Sequence, residues 1–162
     1  MKTSNVQHLF PQTIPPSLAG RRRGGGLILN RVPSGAALNI VDFGAGPEPL
    51  TRSLVRTAHR RGLEFAYHPV LIPDDFSQLP LDHESVNLLL YLDSPLSRGE
   101  SHEQLAFLSR LRMILKQGDL VLLRCEAEAR ASCRKLAHWT GFHREISLVD
   151  AANGTRDELW RA

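Results

Sequence analysis

The sequence predicts an α/β fold, a three-layer sandwich whose mostly parallel sheet finishes in an antiparallel hairpin. Short apolar, β-rich segments alternate along the chain with segments whose apolar residues recur every three or four positions. This alternation is typical of a parallel sheet that helices cover on both faces. Two extended segments, 144–150 and 157–162, then follow each other across a short turn, and this pattern indicates a hairpin.

The sequence predicts a first strand, a glycine turn and a first helix in direct succession. The apolar run 37–43 leads through a glycine turn to segment 49–62, in which apolar residues recur at intervals of four. This segment closes with basic residues and a glycine, as a helix C-terminus does. Two short extended pieces follow, 63–68 and 70–73, which Pro69 separates.

Two further pairs of strand and helix are predicted next. Residues 85–93 form a continuous apolar run that suits a buried strand, and segment 100–118 carries an apolar stripe at helical spacing. The same order repeats in a strand over 119–125 and a helix over 126–142. Because ligands of such sheets bind outside the carboxyl ends of the strands, we expect functional residues to cluster there.

The N-terminal residues differ in composition from the rest of the chain. Residues 1–26 contain three prolines and the run "RRRGGG" without sustained apolar periodicity, which predicts a flexible arm in front of a domain over 27–162. Two interpretations stay open for the arginines at 21–23: a solvated basic tail, or a contact to phosphate or to an acidic partner.

Composition places the chain among ordinary globular proteins. Its 162 residues suffice for one domain with a single core, and 42% are apolar and 23% charged. The net charge of +3 is below what a nucleic-acid binder normally concentrates on one face. The apolar runs are far shorter than the ~20 residues that cross a bilayer, and with the lack of a signal-like N-terminus this predicts a cytoplasmic protein.

The two cysteines allow three interpretations. Cys125 and Cys133 could form a disulfide, supply half of a metal site, or be separate buried thiols. Cys133 continues an apolar stripe at helical spacing, which favours core thiols. The spacing of His138 and His143 from Cys133 does not match a closed zinc pattern, so we predict no metal site.

Four local sequences follow one another along the chain: "VDFGAGP" at 41–47, "DDFSQLPLDHESVNLLL" at 74–90, "RLRMILKQGDLVLL" at 110–123 and "WTGFHREISLVD" at 139–150. In this order they resemble the class I S-adenosylmethionine-dependent methyltransferases, whose fold is Rossmann-like. The resemblance covers roughly residues 38–162. It implies S-adenosylmethionine as the cofactor and methyl transfer as the reaction.

The resemblance also implies which residues hold the cofactor. Asp42, Gly44, Ala45 and Gly46 would form the loop that approaches the amino-acid part of S-adenosylmethionine. Asp75 would accept a hydrogen bond from the adenine amino group, with Phe76 beside the ring. His68 stands where the family has the acid that takes both ribose hydroxyls, and one imidazole cannot reproduce that bidentate contact.

Further departures from the family concern the loop and the sheet. Glu48 occupies a small-residue position of the glycine loop, where its carboxylate could crowd the cofactor or could point outward and cap the following helix. About 28 residues separate Gly46 from Asp74, which predicts a fold abbreviated between the second and fourth strands. No lid insertion is visible, and the acceptor site is therefore expected to be open.

Catalytic candidates lie at the predicted tip of the strand over 85–93. Tyr91, Asp93 and Ser94 could place a base or a hydrogen-bond partner near an acceptor. The "SPL" there is distantly similar to an amino-methylating signature, or is simply a turn that ends the strand. A dehydrogenase loop needs a third glycine where this chain has Pro49, and a Walker loop needs Gly-Lys-Ser/Thr, which is missing.

Two functions from different classes follow. The first is an S-adenosylmethionine-dependent methyltransferase with an open acceptor site, and the second is a catalytically degenerate methyltransferase-like subunit that binds or scaffolds a larger assembly. Either is expected to associate with itself or with another chain. Nucleic acid is the more weakly supported partner, the methyl acceptor is unknown, and no membrane partner is expected.

Overall fold

The computed structural model describes residues 19–44, 47–92, 100–126, 130–149 and 156–162. In chain order its helices and strands are α1 (Ala19–Leu29), β1 (Leu38–Phe43), α2 (Pro49–Arg60), β2 (Phe65–Val70), β3 (Val86–Tyr91), α3 (Ser101–Ile114), β4 (Leu120–Cys125), α4 (Arg130–Trp139), β5 (His143–Val149) and β6 (Arg156–Arg161).

The six strands form one sheet in the order β2-β1-β3-β4-β6-β5. The first four run parallel, whereas β6 pairs antiparallel with both β4 and β5. Strands β1 and β4 are buried almost throughout, as strands in a sheet covered on both faces are. The predicted α/β fold, mostly parallel with an antiparallel hairpin, is confirmed.

Helices cover both faces of this sheet. Alternate residues of the strands face α1 and α2, where Ile40 and Leu90 meet Leu54 in one core cluster. The intervening residues face α3 and α4, where Val41 packs in a second cluster with Leu108. This alternation is the period of two that a pleated strand imposes. Within the described residues, no helix is long and apolar enough to cross a membrane.

The β2 edge of the sheet differs from the prediction in one detail. The segments expected on either side of Pro69 form the single strand β2, and residues 71–73 are not in a strand. Proline is compatible here because β2 pairs only with β1 and is therefore an edge strand. A 3₁₀ turn, Phe76–Gln78, is the one helical element between β2 and β3, so the predicted abbreviation is confirmed.

The predicted boundary at residue 26 falls inside a helix. Helix α1 runs from Ala19 to Leu29 and packs along α2, while residues 1–18 of the predicted arm lie outside the described residues. A Cβ atom built on Gly25 would lie 2.8 Å from the backbone nitrogen of Leu54. Because glycine backbone forms this contact, the helix lacks the apolar side-chain periodicity on which the prediction relied.

A buried polar cluster ties the strands together at the sheet edge opposite the glycine turn. Asn39 Nδ2 donates to Asn87 Oδ1 at 2.8 Å, and the Asn87 backbone N–H donates to Asp119 Oδ1 at 2.9 Å. These three residues are almost fully buried, so each polar group needs its partner. The cluster joins β1 and β3 to the residue that precedes β4.

Both cysteines are buried and free, which confirms their interpretation as core thiols. Cys125 ends β4, and Cys133 lies on α4. A hydrogen bond between the two thiols, together with burial, raises the pKa of Cys125. Its thiol therefore stays protonated and packs as a small apolar group.

Candidate functional site

The glycine turn follows β1 at the carboxyl edge of the parallel strands. Gly44 has a φ of +150°, a conformation that glycine adopts far more readily than other residues. Its backbone N–H donates to the carbonyl of Val70 at 3.2 Å, so the end of β2 holds the start of the turn. The predicted cofactor residues Ala45 and Gly46 come next and lie outside the described residues.

Asp42 lies just before this turn and is almost completely buried. The hydroxyl of Tyr67 donates to its Oδ2 atom at 2.8 Å. Burial, and then the hydrogen bond and the charge of Asp42, raise the pKa of Tyr67. The phenol is therefore a protonated donor that orients the carboxylate. Sequence reasoning placed Tyr67 at a strand end but assigned it no role.

Glu48 and Arg124 connect the loop to the far half of the sheet. Arg124 Nη1 lies 2.7 Å from Glu48 Oε2, and its Nε lies 2.8 Å from Asp157 Oδ1. Burial lowers the pKa of Arg124, but hydrogen bonds and charges from Asp157 and then Glu48 raise it further than burial lowers it. The permanent positive charge of Arg124 thus lies between the carboxylate of Glu48, at the N-terminus of α2, and the carboxylate of Asp157, in β6.

This pairing bears on the two interpretations of Glu48. Glu48 is the N-cap residue of α2, but its side chain makes no capping hydrogen bond, so the interpretation as a side-chain cap is wrong, whereas crowding of the cofactor by Glu48 stays a prediction. The carboxylate extends across the sheet edge to Arg124 instead. The contact is a charge-assisted hydrogen bond between a carboxylate and a guanidinium. No local pattern reveals this partner, because 76 positions separate the two residues.

The predicted adenine residues lie on the 3₁₀ turn between β2 and β3. Asp75 is exposed and accepts hydrogen bonds from Ser77 N at 2.9 Å and from Ser77 Oγ at 2.7 Å. These bonds lower the pKa of Asp75 and keep it ionised. Phe76 is buried in the core on the α3 side, where its ring meets that of Phe107 edge to face at 5.6 Å.

Aromatic rings continue from Phe76 across the end of β3. The ring of Tyr91 lies 4.6 Å from that of Phe107 and 5.8 Å from that of Phe43. Tyr91, a predicted catalytic residue, is therefore a buried part of this aromatic row. The other two catalytic candidates, Asp93 and Ser94, lie outside the described residues.

His68 lies in β2, two residues before the strand ends at Val70. It pairs in register with Val41, whereas Asp42 pairs with Pro69. Since neighbouring strand residues face opposite sides, His68 and Tyr67 lie on different faces of the sheet. The chain from residue 65 to residue 73 contains no acid, and the first one beyond β2 is the exposed Asp74. A ribose contact from His68 stays a prediction.

The structure therefore describes some of the predicted site residues, at two places. Asp42 and Gly44 lie together at the end of β1, with Glu48 following in the same loop. Asp75 and Phe76 lie after β2, at the start of the 3₁₀ turn. The carboxylate of Asp75 is exposed, whereas the ring of Phe76 is buried. Within the described ranges, no three His, Cys, Asp or Glu side chains form a group that could hold a metal ion.

Comparison with known proteins shows similarity in structure alone. No protein-family model and no curated protein matches the chain. The mitomycin 7-O-methyltransferase MmcR is 17% identical, with a TM-score of 0.55, over 86% of this chain and 53% of MmcR. An O-methyltransferase family 2 protein from Planctomyces limnophilus, solved with apigenin, is 12% identical, with a TM-score of 0.59, over 90% of this chain and 60% of that protein.

A third structure matches over nearly its whole length. An S-adenosylmethionine-dependent methyltransferase from Clostridium acetobutylicum is 8% identical, with a TM-score of 0.54, over 91% of this chain and 92% of that chain. The chain thus spans less than two thirds of the first two structures and almost all of the third. Its strand order, its terminal hairpin and these likenesses show that it has the fold of the class I S-adenosylmethionine-dependent methyltransferases.

Proposed function

We propose that the chain binds S-adenosylmethionine outside the carboxyl ends of β1 and β3 and transfers its methyl group to an acceptor that enters from an open side. One observation carries this proposal. A buried carboxylate, Asp42, held by Tyr67, directly precedes a glycine turn at the end of the first strand of a methyltransferase fold. That edge of an open α/β sheet is where such folds bind ligands.

The charges at this edge fit the cofactor. S-adenosylmethionine carries a positive sulfonium and an ammonium group against one carboxylate, so it is a net cation. Asp42, Glu48 and Asp157 supply three carboxylates at this edge, whereas Arg124 and Arg52, which donates to the Pro47 carbonyl of the loop, supply two opposing charges. The resulting negative excess favours a cationic ligand. The demethylated product lacks the sulfonium charge and should gain less from this field.

Roles for the individual residues follow from their places in the fold. Asp42 and the glycine loop, with Gly44, Ala45 and Gly46, would hold the amino-acid part. Asp75 would accept from the adenine amino group, with Phe76 beside the ring and His68 toward the ribose. S-adenosylmethionine, when bound, supplies the electrophilic methyl group. Tyr91, Asp93 and Ser94 would orient the acceptor or take its proton.

A degenerate binding subunit is the second candidate function. The absence of any acid between residues 65 and 73 favours it, because a carboxylate there would normally take both ribose hydroxyls. A chain without that contact could keep the fold while it serves another subunit. This alternative predicts no stabilisation by the cofactor.

Calorimetric titration and thermal unfolding with S-adenosylmethionine and with its demethylated product separate the two candidates. A ligand at a hundredfold excess over Kd stabilises the folded state by about 2.7 kcal/mol. We expect a clear rise in Tm with S-adenosylmethionine and a smaller one with the product. Asp42→Asn should abolish the rise, whereas Glu84→Gln, an exposed carboxylate away from the loop, should retain it. If Tm does not rise at millimolar S-adenosylmethionine, the methyltransferase function is contradicted, and the degenerate binding subunit remains as the candidate.

A further inference from the structure

Charge is divided unequally along this chain. Residues 1–63 contain nine arginine or lysine residues and two acids, whereas residues 64–162 contain eleven and fifteen. Both acids of the first part, Asp42 and Glu48, lie beside the glycine turn. The modest net charge of +3 therefore conceals a strongly basic N-terminal part that includes helices α1 and α2.

Helix α2 concentrates part of this charge on one stripe. Arg52, Arg56 and Arg60 follow each other at intervals of four, and no acid occurs between Pro49 and Arg61. Like charges at this spacing disfavour an isolated helix by roughly 0.2–0.5 kcal/mol per pair. Burial of the opposite face against the sheet, through Leu50, Leu54, Val55 and Ala58, compensates for that cost.

The hydrogen bonds of Arg52, Arg60 and Arg61 do not neutralise their charge. Arg52 Nε donates to the Pro47 carbonyl at 3.1 Å, and Arg61 Nη1 donates to Asn30 Oδ1 at 2.9 Å. Arg60 Nη2 donates to Thr57 Oγ1 at 3.4 Å. All three acceptors are neutral oxygens. Arg60 and Arg61 are also exposed, so their guanidinium groups face solvent.

The packing of α1 adds a second helix to the same layer. Gly25 brings the backbone of α1 against Ser53 and Leu54 of α2. Residues 21–23, three consecutive arginines, belong to α1, and that helix contains no acid. Two helices that together hold six arginines thus form one layer on one face of the sheet. We call this layer, residues 19–29 and 49–61, the basic face.

We propose that the basic face binds the phosphate backbone of a nucleic-acid strand. Arginine, which supplies every cation of α1 and α2, matches phosphate with a planar pair of donors. A membrane-surface helix needs an exposed apolar stripe, and among the described side chains of these helices Leu27 is the one large apolar side chain that is exposed. This binding does not depend on methyl transfer.

Fluorescence anisotropy of a labelled single-stranded RNA of mixed sequence and roughly 20 nucleotides, a length that exceeds common binding sites, tests the proposal. The full-length chain should bind with an affinity that falls steeply as salt rises. Each phosphate contact contributes about −0.7 to the slope of log affinity against log salt for a single strand. The double variant Arg60→Gln with Arg61→Gln should lower the slope's magnitude by about 1.4 and weaken binding about tenfold at low salt.

The matched control removes the same charge elsewhere. Arg110→Gln with Lys135→Gln changes two exposed cations on α3 and α4 and should leave RNA affinity and slope unchanged. Circular dichroism and Tm establish that both double variants are folded. Equal weakening in both, absence of RNA binding at low salt, or tighter binding to polyglutamate or to phosphatidylserine vesicles than to RNA would each overturn the proposal.

Discussion

At the scale of single residues, the candidate site depends on carboxylates whose partners come from distant parts of the chain. Arg124 joins Glu48 to Asp157, and Tyr67 donates to Asp42. A hydrogen bond from a guanidinium or a phenol fixes the orientation of a carboxylate. The residues that flank the glycine turn are therefore held by partners outside the motif that identifies it.

Replacement of Arg124 by Gln should destabilise the protein by roughly 2–4 kcal/mol, because two largely buried carboxylates lose their counter-ion. Glu48→Gln, the matched control, leaves Arg124 paired with Asp157 and should cost about 1 kcal/mol or less. Urea unfolding measures both. Equal losses in the two variants would contradict this account of the pairing.

Replacement of Tyr67 by Phe should lower stability near neutral pH by about 1–2 kcal/mol, since it removes one hydrogen bond to a charged group. The raised pKa of Tyr67 sets the pH dependence. Its contribution is fully present below about pH 10, the pKa in the unfolded chain, and decreases as pH rises above that value. Unfolding curves of both proteins should therefore converge at alkaline pH, and a constant difference would be evidence against the Tyr67–Asp42 bond.

At the scale of elements, the contact between α1 and α2 depends on backbone rather than on side chains. Gly25 faces the backbone of Ser53 and Leu54, whereas a Cβ on Gly26 would meet only the Arg61 guanidinium at 3.4 Å. A helix with consecutive glycines is intrinsically weak. Close packing against α2 is thus what stabilises it, and the basic face depends on that contact.

Gly25→Ala and Gly26→Ala form a matched pair that tests this contact. Gly25→Ala should destabilise by about 1–3 kcal/mol, because its methyl group would force the two helices apart. Gly26→Ala should be neutral or should stabilise by up to about 1 kcal/mol through helix propensity. Thermal unfolding of the two variants measures the difference. Equal effects would show that α1 does not pack closely on α2.

At the scale of the whole molecule, β2 forms one of the two edges of the sheet. Among the described residues β2 pairs only with β1, and Leu71, immediately after it, is 79% exposed, with Ile72 beside it at 45%. An edge strand with adjoining apolar side chains is a template for association. We therefore expect the protein to associate with a second copy of itself along this edge.

Leu71→Lys should abolish that association without a loss of monomer stability, because the side chain is exposed. Sedimentation velocity over a range of concentrations should show a dimer for the natural sequence and a monomer for the variant. Lys135→Leu, which adds an apolar side chain on α4 instead, serves as the control and should leave the dimer unchanged. A natural protein that stays monomeric at all concentrations would contradict the expectation.

By itself the sequence determined the order of strands and helices, the terminal hairpin and the place of the glycine turn. These features depend on local apolar periodicity and on turn residues, which neighbouring positions encode. It also carried the unequal division of charge, although the total of +3 concealed it. The β2 strand through Pro69 and helix α1 departed from prediction, because edge position and glycine backbone contacts leave little trace in apolar patterns.

Tertiary structure alone decided which residues hold the loop. Arg124 reaches Glu48 because β4 lies two strands from β1 in the sheet, and Tyr67 reaches Asp42 because β2 pairs with β1 in one register. A pairing across 76 or 25 positions has no local signature, since strand order and register bring its members together only after folding. The physical reason is that short-range patterns specify elements, whereas long-range packing specifies the contacts between them.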